Sequence, residues 1–218
     1  MPAVRERVPT PPKRRIPSQE RSRRRVEEML DAAARLVVEQ GVDALSTRDI
    51  ATAAGAPVAS LYQYFADKED VLLALAERDM SEMDEQVLAD LEQVEVLSVA
   101  SLVRTTMSAF VTVYHRRRAF VEIYLRGRSN PAVNEFGRRH NIQIAETLRA
   151  FAVDAGLARP DLSPTIALLA VEVGDRVFQL AFEHDATGDP ELIEEGITLV
   201  TSYLERSATP VGLAGIRR

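Results

Sequence analysis

The chain contains no cysteine, which excludes disulfides, thiolate metal sites and thiol catalysis. Tryptophan is also missing, and the three histidines (His115, His140, His184) are too widely spaced for a His-rich metal motif. No apolar run approaches the ~18 residues of a membrane span; the densest, Ile166 to Val171, meets Glu172 at once. The N-terminus is basic but lacks the apolar stretch of a secretory signal, so a cytoplasmic protein with no membrane partner is expected. Enzyme signatures are missing as well. There is no Gly-x-Ser-x-Gly, no phosphate loop ending in Gly-Lys-Ser/Thr, no His-Glu-x-x-His and no Gly-x-Gly-x-x-Gly. Neither catalysis nor a metal or cofactor is expected. Alternating stretches of strand length are lacking too, which leaves an all-α fold.

What is present suits a globular protein: 218 residues, 46% hydrophobic and 28% charged, enough to bury a core without staples. The net charge of −6 hides an asymmetry. Residues 1–25 hold nine Lys/Arg and two Glu, whereas the remainder holds 18 basic and 31 acidic residues. A basic arm on an acidic body suits a DNA-contacting end; a solvated tail is the plainer alternative. Five of the eleven prolines fall in the first 17 residues, so residues 1–20 read as an extended basic arm that cannot build a core.

Helical periodicity begins with Val26, Met29, Leu30, Ala33 and Val37 and stops at Gly41. Ser46 with Asp49 marks the cap of a short helix ending near Ala54. Gly55 supplies a turn, and Pro57 opens a second short helix running to about Tyr64. Asp67 caps the next helix, with Asp70 at its third position. Further helices are expected over 68–94, 98–116, 118–127, 131–155, 162–185 and 189–206, about nine in all. The resulting domains are a helix-turn-helix unit over 21–67, a helical ligand-binding and dimerisation domain over 68–207, and a frayed tail over 208–218.

Two short helices across a glycine turn form a helix-turn-helix candidate, whose second helix enters the major groove. Thr47, Ser60, Tyr62, Gln63 and Tyr64 gather hydroxyl and amide groups there, flanked by Arg48 and Lys68; such groups position a protein on phosphates. Tyr62 can instead pack half-buried, and Arg48 can pair with Asp49 or Asp67. Leu61 and Phe65 fall on the core side.

The run from Leu45 to Leu72 resembles the DNA-binding signature of tetracycline-repressor-type (TetR family) regulators. The Thr-Arg-Asp-Ile-Ala helix, the glycine turn, Leu-Tyr-x-Tyr-Phe and the Lys-Glu start of the fourth helix occur in order. The resemblance implies a homodimeric repressor, or less often an activator, that leaves a palindromic DNA operator when a small-molecule effector enters the C-terminal domain. It implies phosphate contacts from Thr47, Ser60 and Lys68, base reading by Arg48, and one base-side and one backbone contact from Tyr62 and Tyr64. Pro57, Val58 and Ala59 depart from the family's polar leading edge; they suit thymine methyl groups. A helical small-molecule-binding or scaffold protein that has lost the DNA role is the alternative.

In the second half, Met107, Phe110, Tyr114, Tyr124 and Phe178 are the apolar or aromatic pocket candidates. Glu122, His140, Glu172, Asp175 and Gln179 are polar groups on otherwise apolar segments, and of these His140 and Glu172 join the pocket candidates; Glu172 can alternatively pair with Arg176 at i, i+4. The segment Thr165–Phe182 is apolar nearly all round, so it is expected to face its own core on one side and a second subunit on the other. The final helix offers Leu192, Ile193, Ile197, Val200 and Leu204, with Gly196 allowing close approach, and the two helices of each chain make a four-helix dimer interface across a two-fold axis.

Overall fold

The computed structural model describes residues 20–127 and 130–217; the basic arm over 1–19 lies outside them. The fold is all-α. Helices α1 (Glu20–Gln40), α2 (Thr47–Ala53) and α3 (Val58–Leu61) form the N-terminal unit, and α4 (Lys68–Glu92) leads out of it. The C-terminal part comprises α5 (Val99–Arg116), α6 (Arg118–Phe120), a π-helical turn over Val121–Arg126, α7 (Pro131–Asp154), α8 (Pro164–Ala181), α9 (Pro190–Glu205) and α10 (Pro210–Ala214).

The caps follow local chemistry. Ser46 Oγ accepts from the Asp49 amide, but the Asp49 carboxylate takes the Ser46 hydroxyl in return. Asp67 accepts from the Asp70 amide and opens α4. Helices α7 to α10 each begin with a polar cap followed by proline: Asn130, Ser163, Asp189 and Thr209 all bond first-turn amides. Gly41 and Gly55 sit at φ of 83° and 63°, where a Cβ would be strained.

The structure corrects four expectations. The recognition helix is shorter than the expected 57–64, because Gln63 and Tyr64 bond back to Ser60 and Leu61 in tight i→i+3 turns. The expected helix over 118–127 is three α-helical residues and the π turn. Ten α-helical segments occur among the described residues, against about nine expected. Finally, the tail expected to fray is docked. Thr209 Oγ1 donates to the Gly156 carbonyl at 2.6 Å, Thr209 N to the Leu157 carbonyl at 2.9 Å, and a Cβ on Gly212 would lie 2.0 Å from that same oxygen. Ile216–Arg217 (β2) then pairs antiparallel with Val96–Leu97 (β1).

One continuous core joins the two parts. It runs from Met29, Leu61 and Phe65 through Leu72 and Leu75 to Tyr114, Phe120, Phe178 and Phe182. A second cluster, with Leu91, Leu97, Leu102, Leu157 and Leu162, closes the far end under the docked tail. Helix α4 spans both: its Val71, Leu72 and Leu75 belong to the first, its Val87 and Leu91 to the second.

Candidate nucleic-acid interface and ligand cavity

Leu61 and Phe65 are buried at 0% and 1% exposure, so α3 is pinned against the core by one face. The opposite face presents Pro57, Ala59, Tyr62 and Gln63 to solvent, with Arg48 exposed on α2; Val58, Ser60 and Tyr64 are half-buried. Thr47 Oγ1 and the Tyr62 hydroxyl lie 3.1 Å apart in a hydrogen bond. Tyr62 nevertheless keeps 55% of its surface, so it is held upright rather than packed away. Lys68, at the start of α4, is half-buried and donates to the Val42 carbonyl at 3.4 Å. All ten candidate DNA-contacting residues belong to α2, to α3 with its cap Pro57, to the turn after it and to the first residue of α4.

One contact escaped the sequence reading. Ser22 Oγ hydrogen-bonds the Tyr64 hydroxyl at 2.8 Å, across 42 residues. It sets the first turn of α1, with Arg21, Arg23 and Arg24 exposed, beside the end of the recognition segment. Cations at a helix N-terminus oppose the macrodipole, so the dipole of α1 does not favour them there. No local sequence signal marks the Ser22–Tyr64 pair.

The C-terminal part holds a cavity of about 110 Å³ between α5, α7 and α8, closed at one side by α9. Its walls are mostly aliphatic, with Leu102, Val103, Ile144, Leu148, Val171 and Leu204 among them. Of the seven candidates, Met107, Phe110 and Phe178 line it. The other four do not. Tyr114 is 2% exposed and sits behind the wall, edge-on to Phe178 and Phe182 and stacked on Phe120. Tyr124 has its ring over Gly137, where an added Cβ would come within 2.2 Å. The Tyr124 hydroxyl is hydrogen-bonded to Asp175 and Asn141; burial and the Asp175 charge hold it well above the usual phenol range. His140 faces a different groove, its Nε2 3.0 Å from an Asp84 carboxylate oxygen. Glu172 accepts from Asn141 at 3.4 Å, while Arg176 donates to Gln179, so the i, i+4 pair is not made. The polar lining residues are Thr106, Asn141, Arg149 and Asp175. Sequence reasoning missed Thr106, Asn141 and Arg149 because nothing in their spacing separates an inward polar group from an outward one.

Comparison with known proteins decides the family. Residues 29–75 match the sequence profile of bacterial regulatory proteins of the tetR family, and residues 98–204 match that of the tetracyclin repressor-like C-terminal domain. A TetR-family transcriptional regulator from Streptomyces coelicolor is 30% identical; the alignment covers 84% of this chain and 99% of that one, with a TM-score of 0.68. The chain belongs to the TetR family. The fold also matches a TetR-family regulator from Pectobacterium atrosepticum (19% identity, 88% and 98% of the two chains, TM-score 0.69). A third match is to a TetR-family regulator of Syntrophomonas wolfei (18%, 83% and 94%, TM-score 0.67). No curated protein gives a significant match.

In this TetR-family regulator the two parts meet at a charged junction. Arg78 on α4 reaches Glu27 and Asp31 on α1 and its neighbour Asp79. Arg117, between α5 and α6, pairs with Glu82 at 2.6 Å and stands 3.6 Å from Asp79; Arg116 also pairs with Glu82. Arg116 and Arg117 thus both reach α4. Asp79 is 1% exposed, and burial pushes its carboxyl up to about 6 against the pull of the two arginines. A second tie lies nearer the DNA end: Asn130, the cap of α7, donates to Glu69 of α4 at 2.7 Å.

The expected dimer face needs one correction. Leu169, Leu180, Leu192 and Leu199 are exposed on α8 and α9, whereas Ile197 and Val200 are buried inward at 3% and 6%. Gly196 serves contact within the protomer, since a Cβ there would lie 2.4 Å from Val177 of α8. No helix of the described residues is long and apolar enough to cross a membrane.

Proposed function

We propose that this TetR-family transcriptional regulator is a cytoplasmic homodimeric repressor, without enzymatic activity, that leaves a palindromic operator when a small molecule fills the α5–α7–α8 cavity. The observation that carries the reading is the cavity itself: an apolar chamber with few polar groups, the usual form of a small-molecule site, lies in the same chain as a solvent-facing recognition helix. Dimerisation uses the exposed leucines of α8 and α9, which make a self-complementary patch when related by a two-fold axis. Arg48 reads a base, Pro57, Val58 and Ala59 approach thymine methyl groups, and Gln63 faces the groove. Thr47, Ser60 and Lys68 position the unit on the backbone, and of Tyr62 and Tyr64 one approaches the bases and the other the backbone.

Selection of binding sites from random duplex DNA tests this. The selected sites are expected to be palindromic. Arg48→Ala should relax one position of each half-site at a cost of roughly 1–3 kcal/mol. Thr47→Ala should lower affinity for all sites about equally, because phosphates carry no sequence information. An Arg48→Ala site preference identical to the parent's, or selected sites without two-fold symmetry, refutes the assignment.

A further inference from the structure

Thr106 sits in the middle of α5 and lines the cavity. It is 9% exposed, and its hydroxyl has no hydrogen-bond partner among the described residues. A threonine inside a helix can satisfy itself on the carbonyl four residues back; Thr112 of the same helix does so with Ser108. Thr106 does not, and a buried hydroxyl left unpaired is unfavourable. The other polar lining groups are already engaged. Arg149 is hydrogen-bonded by both oxygens of Glu146 and reaches the Leu162 carbonyl. Asn141 bonds Glu172 and Tyr124. Asp175 accepts from Gln179 at 2.7 Å and from the Tyr124 hydroxyl.

The charges of the lining add a sign. Asp175 lines the cavity, and Glu172 lies directly behind Asn141. Between low-dielectric walls these carboxylates oppose an anion. The guanidinium of Arg149, which would attract one, is neutralised by Glu146. Asn141 and Arg149 share one face of α7 eight residues apart, or about 12 Å at 1.5 Å per residue. The space between them is aliphatic. A volume of about 110 Å³ holds roughly eight to ten water-sized occupants at ~10–15 Å³ each.

We infer that the effector of this cavity is an uncharged, elongated, mostly aliphatic molecule of about that many non-hydrogen atoms, whose single hydroxyl or carbonyl is held by Thr106. The inference rests on the reading of the cavity as the effector site, and it names the ligand class and the residue that selects it. Thr106 is an anchor because its hydroxyl both donates and accepts; that oxygen is itself covered, and a turn about χ1 between the two threonine rotamers a helix allows brings it to the cavity. A neutral polar group satisfies it without confronting the carboxylates.

The test uses the full-length protein and four eight-carbon probes: 1-octanol, octane, octanoate and octylammonium. Calorimetry should show saturable binding of 1-octanol in preference to both ionic probes. Thr106→Val should weaken 1-octanol about 5- to 10-fold, the loss of one hydrogen bond, and leave octane unchanged. The same variant should melt at the same temperature as the parent or higher without ligand, because valine removes the unpaired hydroxyl; a merely structural threonine would lower it. Octanoate binding as well as 1-octanol overturns the inference, as does a preference for octylammonium, which would make Asp175 the anchor. Unchanged 1-octanol affinity in Thr106→Val, or no binding of any probe, also overturns it. Binding of 1-octanol with no effect on operator affinity leaves the ligand class standing and refutes the regulatory role of the cavity.

Discussion

Asp79 lies where the DNA-binding helices meet the C-terminal part, and replacing it with asparagine gives a pH-dependent result whose sign is fixed. Its carboxyl is raised from an ordinary 3.8 to about 6, chiefly because burial disfavours the charged form. A carboxyl that holds its proton more tightly when folded favours folding in acid. That contribution is fully present below the unfolded value, near 3.8, and is lost as pH rises through about 6. At 1.36 kcal/mol per unit the whole loss is about 3 kcal/mol, of which about 1–1.5 falls between roughly pH 5 and pH 8. Asparagine stands in for the protonated acid at every pH. The stability of the parent relative to Asp79→Asn should therefore fall by that amount over the interval. Urea unfolding of both proteins at the two pH values and one fixed protein concentration measures it, since dimer stability depends on concentration. Arg78 retains Glu27 and Asp31 in the variant, and Arg117 retains Glu82, so a folded protein is expected. A difference that stays flat, or grows in favour of the parent at higher pH, refutes the argument that burial outweighs the two arginines.

Leu199→Asp should give a folded monomer by sedimentation that no longer binds the operator, because Leu199 is 56% exposed in the protomer. Val200→Asp, one residue on, should unfold the chain instead, since it buries an unpaired charge at a cost of several kcal/mol; equal behaviour of the pair would move the interface elsewhere. Gly137→Ala gains about 1 kcal/mol of helix propensity but drives a methyl into Tyr124, a clash costing about 1–3 kcal/mol. A lower melting temperature is expected, and a higher one would show that Tyr124 does not lie on Gly137.

The N-terminal unit was legible in the sequence because its signals are local. Ser46, Gly55, Asp67 and the apolar spacing of Leu61 and Phe65 each act within a turn or two, and the structure uses them in place. The cap-proline pairs at Asn130, Ser163 and Asp189 were equally readable as helix starts. The same pair stands at Thr209-Pro210, and α10 was missed because so short a segment carries little periodicity of its own. Its order comes from Gly156 and Leu157, more than fifty residues away. The cavity shows the limit of composition. Phe110 and Tyr114 are four residues apart on one helix, yet one lines the space and the other backs its wall, a difference set by where α8 lies. Thr106 carries no mark in sequence at all. Its meaning appears only when the carbonyl it fails to reach and the walls around it are known.

In the proposed mechanism the cavity can affect DNA because its polar floor and the recognition helix share supports. Asn141 and Asp175 hold Tyr124, which stands in the π-helical turn. Asn130, four residues past that turn in sequence, caps α7 and grips Glu69 in the first turn of α4. A molecule that spreads α7 from α5 therefore pulls both at Tyr124 and at the Asn130–Glu69 contact. The nearer point lies only a few residues from Phe65, which fixes the recognition segment to the core. Helix α4, with 25 residues, spans about 38 Å at 1.5 Å per residue, and the Arg78–Asp79–Arg117 junction stands part-way along it as a fulcrum. A small tilt about that junction becomes a larger displacement at Lys68. Two recognition helices must meet half-sites about 34–36 Å apart, so a change of a few Å in their separation ends simultaneous docking. The effector does this only if it binds the tilted state more tightly. The operator must then weaken effector binding by the same factor.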